Sequence, residues 1–322
     1  MPAVSEILVT IPAKPHHKEL LEKTAPNANF TYLAPNQVTD EVLAKMDVVL
    51  GNLPPEAFKA AKNLKLLQLN SAGSDIYAAP GVLPEGVILA NATGSYGLAI
   101  SEYLIATLFS VSKKLPRYRD QQRKNLWNDL GEVKPIQGTT VLVIGLGDIG
   151  GDFAKRVKAL GAYVIGVRRK GTDKPDYIDE LYLTEQIDEL IPRADTIALC
   201  LPNTPATVGI MSRERIFNMK QDSILLNIGR GSAVDADALC DALEQGLLWG
   251  AATDVYAVEP LPADSRMWQV ENLLMTPHTS GQFSLPETLE RIVRLMAENL
   301  GNYIEGRPIK NLVDPATGYR KL

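Results

Sequence analysis

A glycine run placed where a strand stops constrains this chain more than any other feature. Thr139–Ile144 is a continuous β-rich apolar run, and Gly145-Leu146-Gly147-Asp148-Ile149-Gly150 follows it directly. Next comes an apolar-periodic segment carrying Phe153, Val157 and Leu160, and then a further strand pattern at Tyr163–Val167. G-x-G-x-x-G alone is a weak signal, but strand, loop, helix and strand in this order form the βαβ unit that the motif requires. The first glycine makes the tight turn, the second lets the backbone approach a pyrophosphate, and the third lets the helix pack on the strand. The helix N-terminus then offers unpaired N–H groups and a positive dipole end to the phosphates. Gly145, Gly147, Asp148, Ile149 and Gly150 are therefore candidate cofactor-binding positions. Asp148 is the odd member, because a carboxylate beside a pyrophosphate is unfavourable. It is expected to point away or to cap the helix.

The same alternation runs along the chain. Strand patterns fall at Glu6–Ile11, Phe30–Leu33, Asp47–Asn52, Leu64–Leu69, Thr196–Leu201, Ser223–Asn227 and Trp249–Asp254. Helical patterns fall at Pro15–Thr24, Thr39–Met46 (capped by Thr39), Pro54–Lys62, Gly97–Leu115, Thr184–Leu190, Ala236–Glu244 and Pro286–Ile304. Short apolar runs separated by helices predict parallel sheets covered on both faces. At roughly 150 residues per domain, the length predicts two α/β domains, the second opening around Gly97–Leu115. An apolar content of 45% with 22% charged residues excludes disorder as the main description.

Charge and cysteine content remove other classes. A formal charge of −5 makes nucleic acid and anionic membranes poor partners. Cys200 and Cys240 are too few for a disulfide framework or a cysteine-based zinc site and read as buried inert thiols. Three histidines leave little for a His-rich metal site, so no metal is expected. Thr139–Gly147 and Gly97–Val111 are too short or too interrupted, by Glu102, to span a bilayer. The start of the chain lacks the basic and apolar parts of a leader. A cytoplasmic setting is the expectation.

At the end of the second strand of the βαβ unit, NAD enzymes place an acid that binds the ribose hydroxyls, about 20 residues after the loop. Here Val167 is followed by Arg168-Arg169-Lys170. Cations at this point suit a 2′-phosphate, so NADP is the expected cofactor and NAD the alternative.

Three further segments carry chemistry: Asn227-Ile228-Gly229-Arg230-Gly231, the stretch from Asp254 to Glu259-Pro260, and Thr276-Pro277-His278-Thr279-Ser280-Gly281. With the glycine loop, in this order and spacing, the chain resembles the D-isomer-specific 2-hydroxyacid dehydrogenases, and is closest in character to glyoxylate/hydroxypyruvate reductases. The resemblance implies two doubly wound parallel-sheet domains. A Rossmann-type nucleotide domain (99–282) would be inserted into a flavodoxin-like substrate domain (1–98 and 283–322). It further implies His278 as acid/base, Glu259 as its partner and Arg230 as the substrate-binding arginine. Asp254 would hold the nicotinamide carboxamide, and Pro202 and Ile228 would also line the cofactor. The backbone N–H groups of Ala72 and Gly73, in Ser71-Ala72-Gly73-Ser74-Asp75, would bind the substrate carboxylate. Asn91–Glu102 would form the hinge.

The residue types suit reduction of a 2-oxo acid independently of the family. The developing alkoxide needs a proton, which a histidine can give near neutral pH, and an adjacent carboxylate favours the protonated ring. A substrate carboxylate is better matched by the planar fork of arginine than by lysine. Departures narrow the choice within the family. Ser95 in Gly94-Ser95-Tyr96 stands where D-lactate enzymes tend to have tyrosine, and Glu259 stands where formate dehydrogenases have glutamine. No residues remain for the regulatory domain of long phosphoglycerate dehydrogenases. Met267-Trp268 resembles the Leu-Trp of the glyoxylate/hydroxypyruvate group. Two rivals stay open: an NAD-linked dehydrogenase of a larger 2-hydroxy acid, and a non-catalytic dinucleotide sensor. Finally, Gly97–Leu115 is apolar on more than one face, so it is expected to meet a second subunit in a homodimer, with Tyr118 and Trp127 joining that interface.

Overall fold

Every apolar run that the sequence offers as a strand lies in one of two all-parallel sheets. The computed structural model of the protein describes residues 4–315 and 317–321. It divides into two units, Met1–Tyr96 with Gln282–Leu322, and Gly97–Gly281.

In the first unit β1 (Glu6–Val9), β2 (Asn29–Tyr32), β3 (Val48–Leu50), β4 (Leu66–Gln68) and β5 (Ile88–Ala90) pair in the order β2-β1-β3-β4-β5. That is the flavodoxin-like order. β3 and β4 are buried at every position, as strands covered on both faces must be, and Leu8, Val49, Phe58 and Leu67 centre the core. The helices Pro15–Thr24 and Pro286–Glu305 pack on each other. Pro54–Lys62 forms a 3-10 helix over Pro55–Ala60 instead of the expected α-helix, and Asp40–Leu43 is all that forms of the expected Thr39–Met46 helix. Thr39 does cap it, accepting from the Val42 N–H at 3.4 Å.

The second unit holds β6 (Thr140–Ile144), β7 (Tyr163–Arg168), β8 (Glu180–Leu183), β9 (Thr196–Leu199), β10 (Ile224–Asn227), β11 (Gly250–Thr253) and β12 (Leu273–Met275). Their order, β12-β11-β10-β9-β6-β7-β8, is the Rossmann order with one further strand. β9, β10 and β11 are buried along their whole length. The strand order reverses between β6 and β9, and ligands bind outside the strand ends at such a switch point. Gly145 after β6 and Cys200 after β9 meet there: a Cβ on Gly145 would stand 2.5 Å from the Cys200 carbonyl oxygen.

The helix expected over Gly97–Leu115 ends at Ser112. Lys114 turns left-handed at φ 57°, and a second helix, Leu115–Arg123, starts with Pro116 in its first turn, where proline's missing N–H costs nothing. Ile100, Leu104, Leu108 and Val111 are buried, while Leu98, Ile105 and Phe109 are half-buried. Gly97–Ser112 packs on the helix Asp148–Ala159 and on β10 and β11. Much of its apolar circumference is therefore used within its own unit. No helix of the described residues is long and apolar enough to cross a membrane.

Candidate active site

Two glycines of the loop after β6 have a structural reason to be glycine. Gly145 lies at φ +100°, in the region closed to most side chains, and its N–H donates to the Val167 carbonyl at 2.9 Å. A Cβ on Gly150 would overlap the carbonyl oxygen of Gly145. Around Gly147, by contrast, nothing stands within 4 Å of where a Cβ would project. Gly147 caps the helix Asp148–Ala159, whose first N–H groups lack helical acceptors. An open glycine at a helix N-terminus, over a switch point, fits the pyrophosphate of a dinucleotide.

Asp148 is turned aside from that opening. A Cβ on Gly97 would stand 2.5 Å from an Asp148 carboxylate oxygen and 2.8 Å from one of Asp152, so both acids lie at the start of the helix Gly97–Ser112. Negative charge is favourable at a helix N-terminus. Ile149 is half-buried, Pro202 lies in the loop after β9, and Ile228 is buried just after β10.

Arg168 ends β7, but its guanidinium turns back on its own loop. Nε donates to the Gly171 carbonyl at 2.9 Å and Nη2 to the Asp173 carbonyl at 2.5 Å. Arg169 and Lys170 are exposed beyond it. The fork expected to meet a 2′-phosphate thus shapes the loop, and the outermost cations are the two that follow.

The remaining chemistry gathers on the loops after β10, β11 and β12. Arg230 follows β10, where the Asn227 side chain holds its carbonyl at 3.0 Å and also accepts the Gly229 N–H at 3.1 Å. A Cβ on Gly231 would overlap the Tyr256–Ala257 peptide, so the arginine loop lies directly against the segment leading to Glu259. One oxygen of Glu259 accepts the Tyr256 N–H at 2.8 Å, and the other stands 2.7 Å from Nδ1 of His278. A carboxylate only accepts, so Nδ1 carries the proton of this bond and Nε2 is left as the atom that exchanges a proton. The pair is half-exposed, at 48% for His278 and 35% for Glu259. Tyr256, Glu259, Leu261, Trp268, Thr276 and His278 border a largely apolar hollow of about 610 Å³. A separate hollow of about 470 Å³, beside Lys114 and Trp249, contains none of the site residues.

Asp254, fully buried, clamps the histidine loop. It accepts the N–H groups of Thr279 and Ser280, each at 2.9 Å, and the Thr276 hydroxyl. These three bonds use most of the acceptor capacity of its carboxylate.

The family model for the D-isomer specific 2-hydroxyacid dehydrogenase NAD binding domain matches residues 105–280. The chain belongs to this family. It is 28% identical over 314 residues to a D-3-phosphoglycerate dehydrogenase of Methanocaldococcus jannaschii, a match covering 96% of this chain but 59% of that longer protein. Over 278 residues it is 28% identical to a glyoxylate reductase of Thermofilum pendens, covering 84% of this chain and 82% of the relative. Among solved structures, the D-isomer specific 2-hydroxyacid dehydrogenase of Xanthobacter autotrophicus Py2 in complex with NADPH and MES superposes with a TM-score of 0.81. Identity there is 25%, over 98% of this chain and 100% of the other.

In the first unit of this family member, the Ser71–Gly73 loop is held through its carbonyls. Asn91 Nδ2 donates to Ala72 at 2.9 Å, the Ser71 hydroxyl to Gly73 at 2.7 Å, and the Ala92 N–H to Ser71 at 2.8 Å. The Tyr96 hydroxyl donates to the carbonyl of Asn70, just before it. Tyr96, Thr276 and Gly231 stand in the motifs of the sequence without a role assigned to them, and Tyr103 does not stand out there at all, because their partners lie far along the chain. The small size of Gly231 beside Arg230 was the one signal available.

His16, His17 and Glu290 form the metal-capable cluster of the described residues, which the histidine count did not foresee. The Lys14 N–H donates to His17 Nδ1 at 3.1 Å, so Nε2 of a neutral ring carries the proton and donates to Glu290 at 2.9 Å. His16 Nε2 meets the same oxygen at 3.0 Å. With His17 Nδ1 used as an acceptor, a metal on Nε2 would have to displace that backbone bond. The cluster reads as a brace between two helices.

Proposed function

We propose that this chain is an NAD(P)-dependent oxidoreductase that reduces a small 2-oxo acid, of the glyoxylate or hydroxypyruvate type, to the D-2-hydroxy acid, with NADPH preferred. The observation that carries the reading is the 2.7 Å pair of His278 and Glu259, on a loop adjoining that of Arg230 in a dinucleotide-binding fold. A bound reduced nicotinamide would supply the hydride. Arg230 would grip the substrate carboxylate with its fork. His278 would deliver a proton from Nε2 to the oxygen of the former carbonyl, while Glu259 balances the charge of the protonated ring. The backbone of Gly145, Gly147, Asp148, Ile149 and Gly150 would hold the pyrophosphate, Pro202 and Ile228 would line the cofactor, and Asp254 would take the carboxamide.

The glyoxylate reductase and the NADPH-bound structure among its relatives support the substrate class and the cofactor. Arg169 and Lys170 favour a 2′-phosphate, and no acid precedes Asp173 on that loop. The engagement of Arg168 by its own loop is the observation favouring the second reading, an enzyme that also accepts NADH. We place the protein in the cytoplasm, where free Cys200 and Cys240 would stay reduced. A homodimer fits the exposure of Leu115, Leu126, Trp127 and Val133 on one stretch of chain. Oxidation of NADPH and NADH measured against glyoxylate, hydroxypyruvate, pyruvate and a branched 2-oxo acid tests the reading.

A further inference from the structure

His278 sits in a strained backbone. Its φ is +53°, in the left-handed region that few non-glycine residues adopt, and surrounding structure must impose it. The imposing bonds can be traced. On the near side the His278 N–H donates to the Thr276 carbonyl at 3.1 Å, and the Tyr256 hydroxyl donates to that same carbonyl at 2.9 Å. On the far side the Thr279 and Ser280 N–H groups close on Asp254.

Thr276 joins the two sides. Its hydroxyl has one proton, and that proton goes to Asp254, which can only accept. The Thr276 oxygen must therefore be the acceptor of its second bond, to the Tyr103 hydroxyl at 2.6 Å. The chain of donors runs one way, from Tyr103 through Thr276 to the buried Asp254 carboxylate. Burial first of all, with the Asp254 charge adding to it, pushes the Tyr103 hydroxyl up to about 12, so it stays a donor at neutral pH. Tyr103 stands on the long helix Gly97–Ser112, which packs on β10 and β11. A rigid helix thus reaches a loop that has little regular structure of its own.

We propose that Tyr103 is a positioning residue: through the Thr276 hydroxyl and Asp254, its hydroxyl fixes the Thr276–Ser280 loop and with it the ring of His278. The inference rests on reading His278 as the proton donor. Polar chains of this kind polarise one another and orient the group at their end, so losing the first donor loosens the last. Tyr103→Phe removes one oxygen and keeps the ring.

The test has two arms. In the first, Tyr103→Phe lowers kcat by about 5- to 20-fold, the scale of one lost orienting bond, and by more than it raises KM for NADPH. Thr276→Ser keeps the hydroxyl and keeps activity near wild type, and in a Thr276→Val background Tyr103→Phe adds no further loss. In the second arm, the ring signals of the protein's three histidines are followed by NMR on isotope-labelled chain, His278 being assigned from its loss in His278→Gln. The His278 signal shifts or broadens in Tyr103→Phe, while the signals of His16 and His17 stay where they are. An unaltered His278 signal, or additive losses in the double variant, overturns the inference. If wild type reduces no 2-oxo acid while the signal still moves, the functional reading fails and the loop-holding role of Tyr103 stands.

Discussion

Glu259 accepts the Nδ1 proton of His278 across 2.7 Å, with its other oxygen fixed by the Tyr256 N–H. The carboxylate is thus oriented by its own backbone before it orients the ring. Glu259→Gln keeps an acceptor for Nδ1 and removes the charge that balances a protonated ring. Because the pair is half-exposed, we expect a fall in kcat of about 3- to 10-fold, less than for Glu259→Ala. Steady-state kinetics on both variants check this; equal kcat in wild type and Glu259→Ala would refute the pairing as functional.

Gly231 gives a second expectation. Any side chain there meets the Tyr256–Ala257 peptide, so Gly231→Ala must push the Arg230 loop away from the Glu259 segment. Misplacement on the ångström scale can cost about 100-fold in rate. Gly231→Ala should lower kcat/KM for the 2-oxo acid by roughly that factor, with a lower Tm. Wild-type kcat/KM in a folded Gly231→Ala would mean that the approach of the two loops is immaterial.

The Gly231 contact marks where the sequence stops being legible. Gly145, Gly147 and Gly150 could be read because one local motif states all three backbone requirements, and the structure gives Gly145 and Gly150 a reason to lack a side chain. The parallel sheets were equally legible, since strands buried on both faces are simply apolar. Two of the outer strands were not: β8 reads Glu-Leu-Tyr-Leu and is half-exposed, and β5 is only three residues long. Asp254 was legible as a residue but not as the clamp of the histidine loop, because its donors lie 22 to 26 residues away. Arg168 shows the same limit at short range. Its position after β7 is readable, but whether its fork reaches outward or folds onto Gly171 depends on the loop it ends in.

For the cofactor we expect kcat/KM at least about tenfold higher with NADPH than with NADH, from one charge-assisted contact at an exposed site. The margin should shrink as salt rises. Arg169→Ala should erase most of it, while Arg168→Ala should raise KM for both cofactors, since it releases the Gly171 and Asp173 carbonyls. Equal use of NADH and NADPH by wild type would assign the cations to a solvated loop.

Assembly can be read in solution. Trp127 is fully exposed, with Leu126 and Leu115 about half-exposed nearby. Light scattering at micromolar concentration should give twice the chain mass of 35.1 kDa, and Trp127→Glu should weaken the association. A wild-type monomer would refute the homodimer.

The most direct measurement is NADPH oxidation by wild type and by His278→Ala against glyoxylate, hydroxypyruvate, pyruvate and a branched 2-oxo acid. Wild type should turn over glyoxylate or hydroxypyruvate best, and His278→Ala should lose about 10²- to 10⁴-fold in kcat, the worth of a positioned proton donor. Absence of turnover with every 2-oxo acid, or near-wild-type turnover by His278→Ala, would contradict the assignment of His278 as the proton donor of a 2-oxo acid reductase.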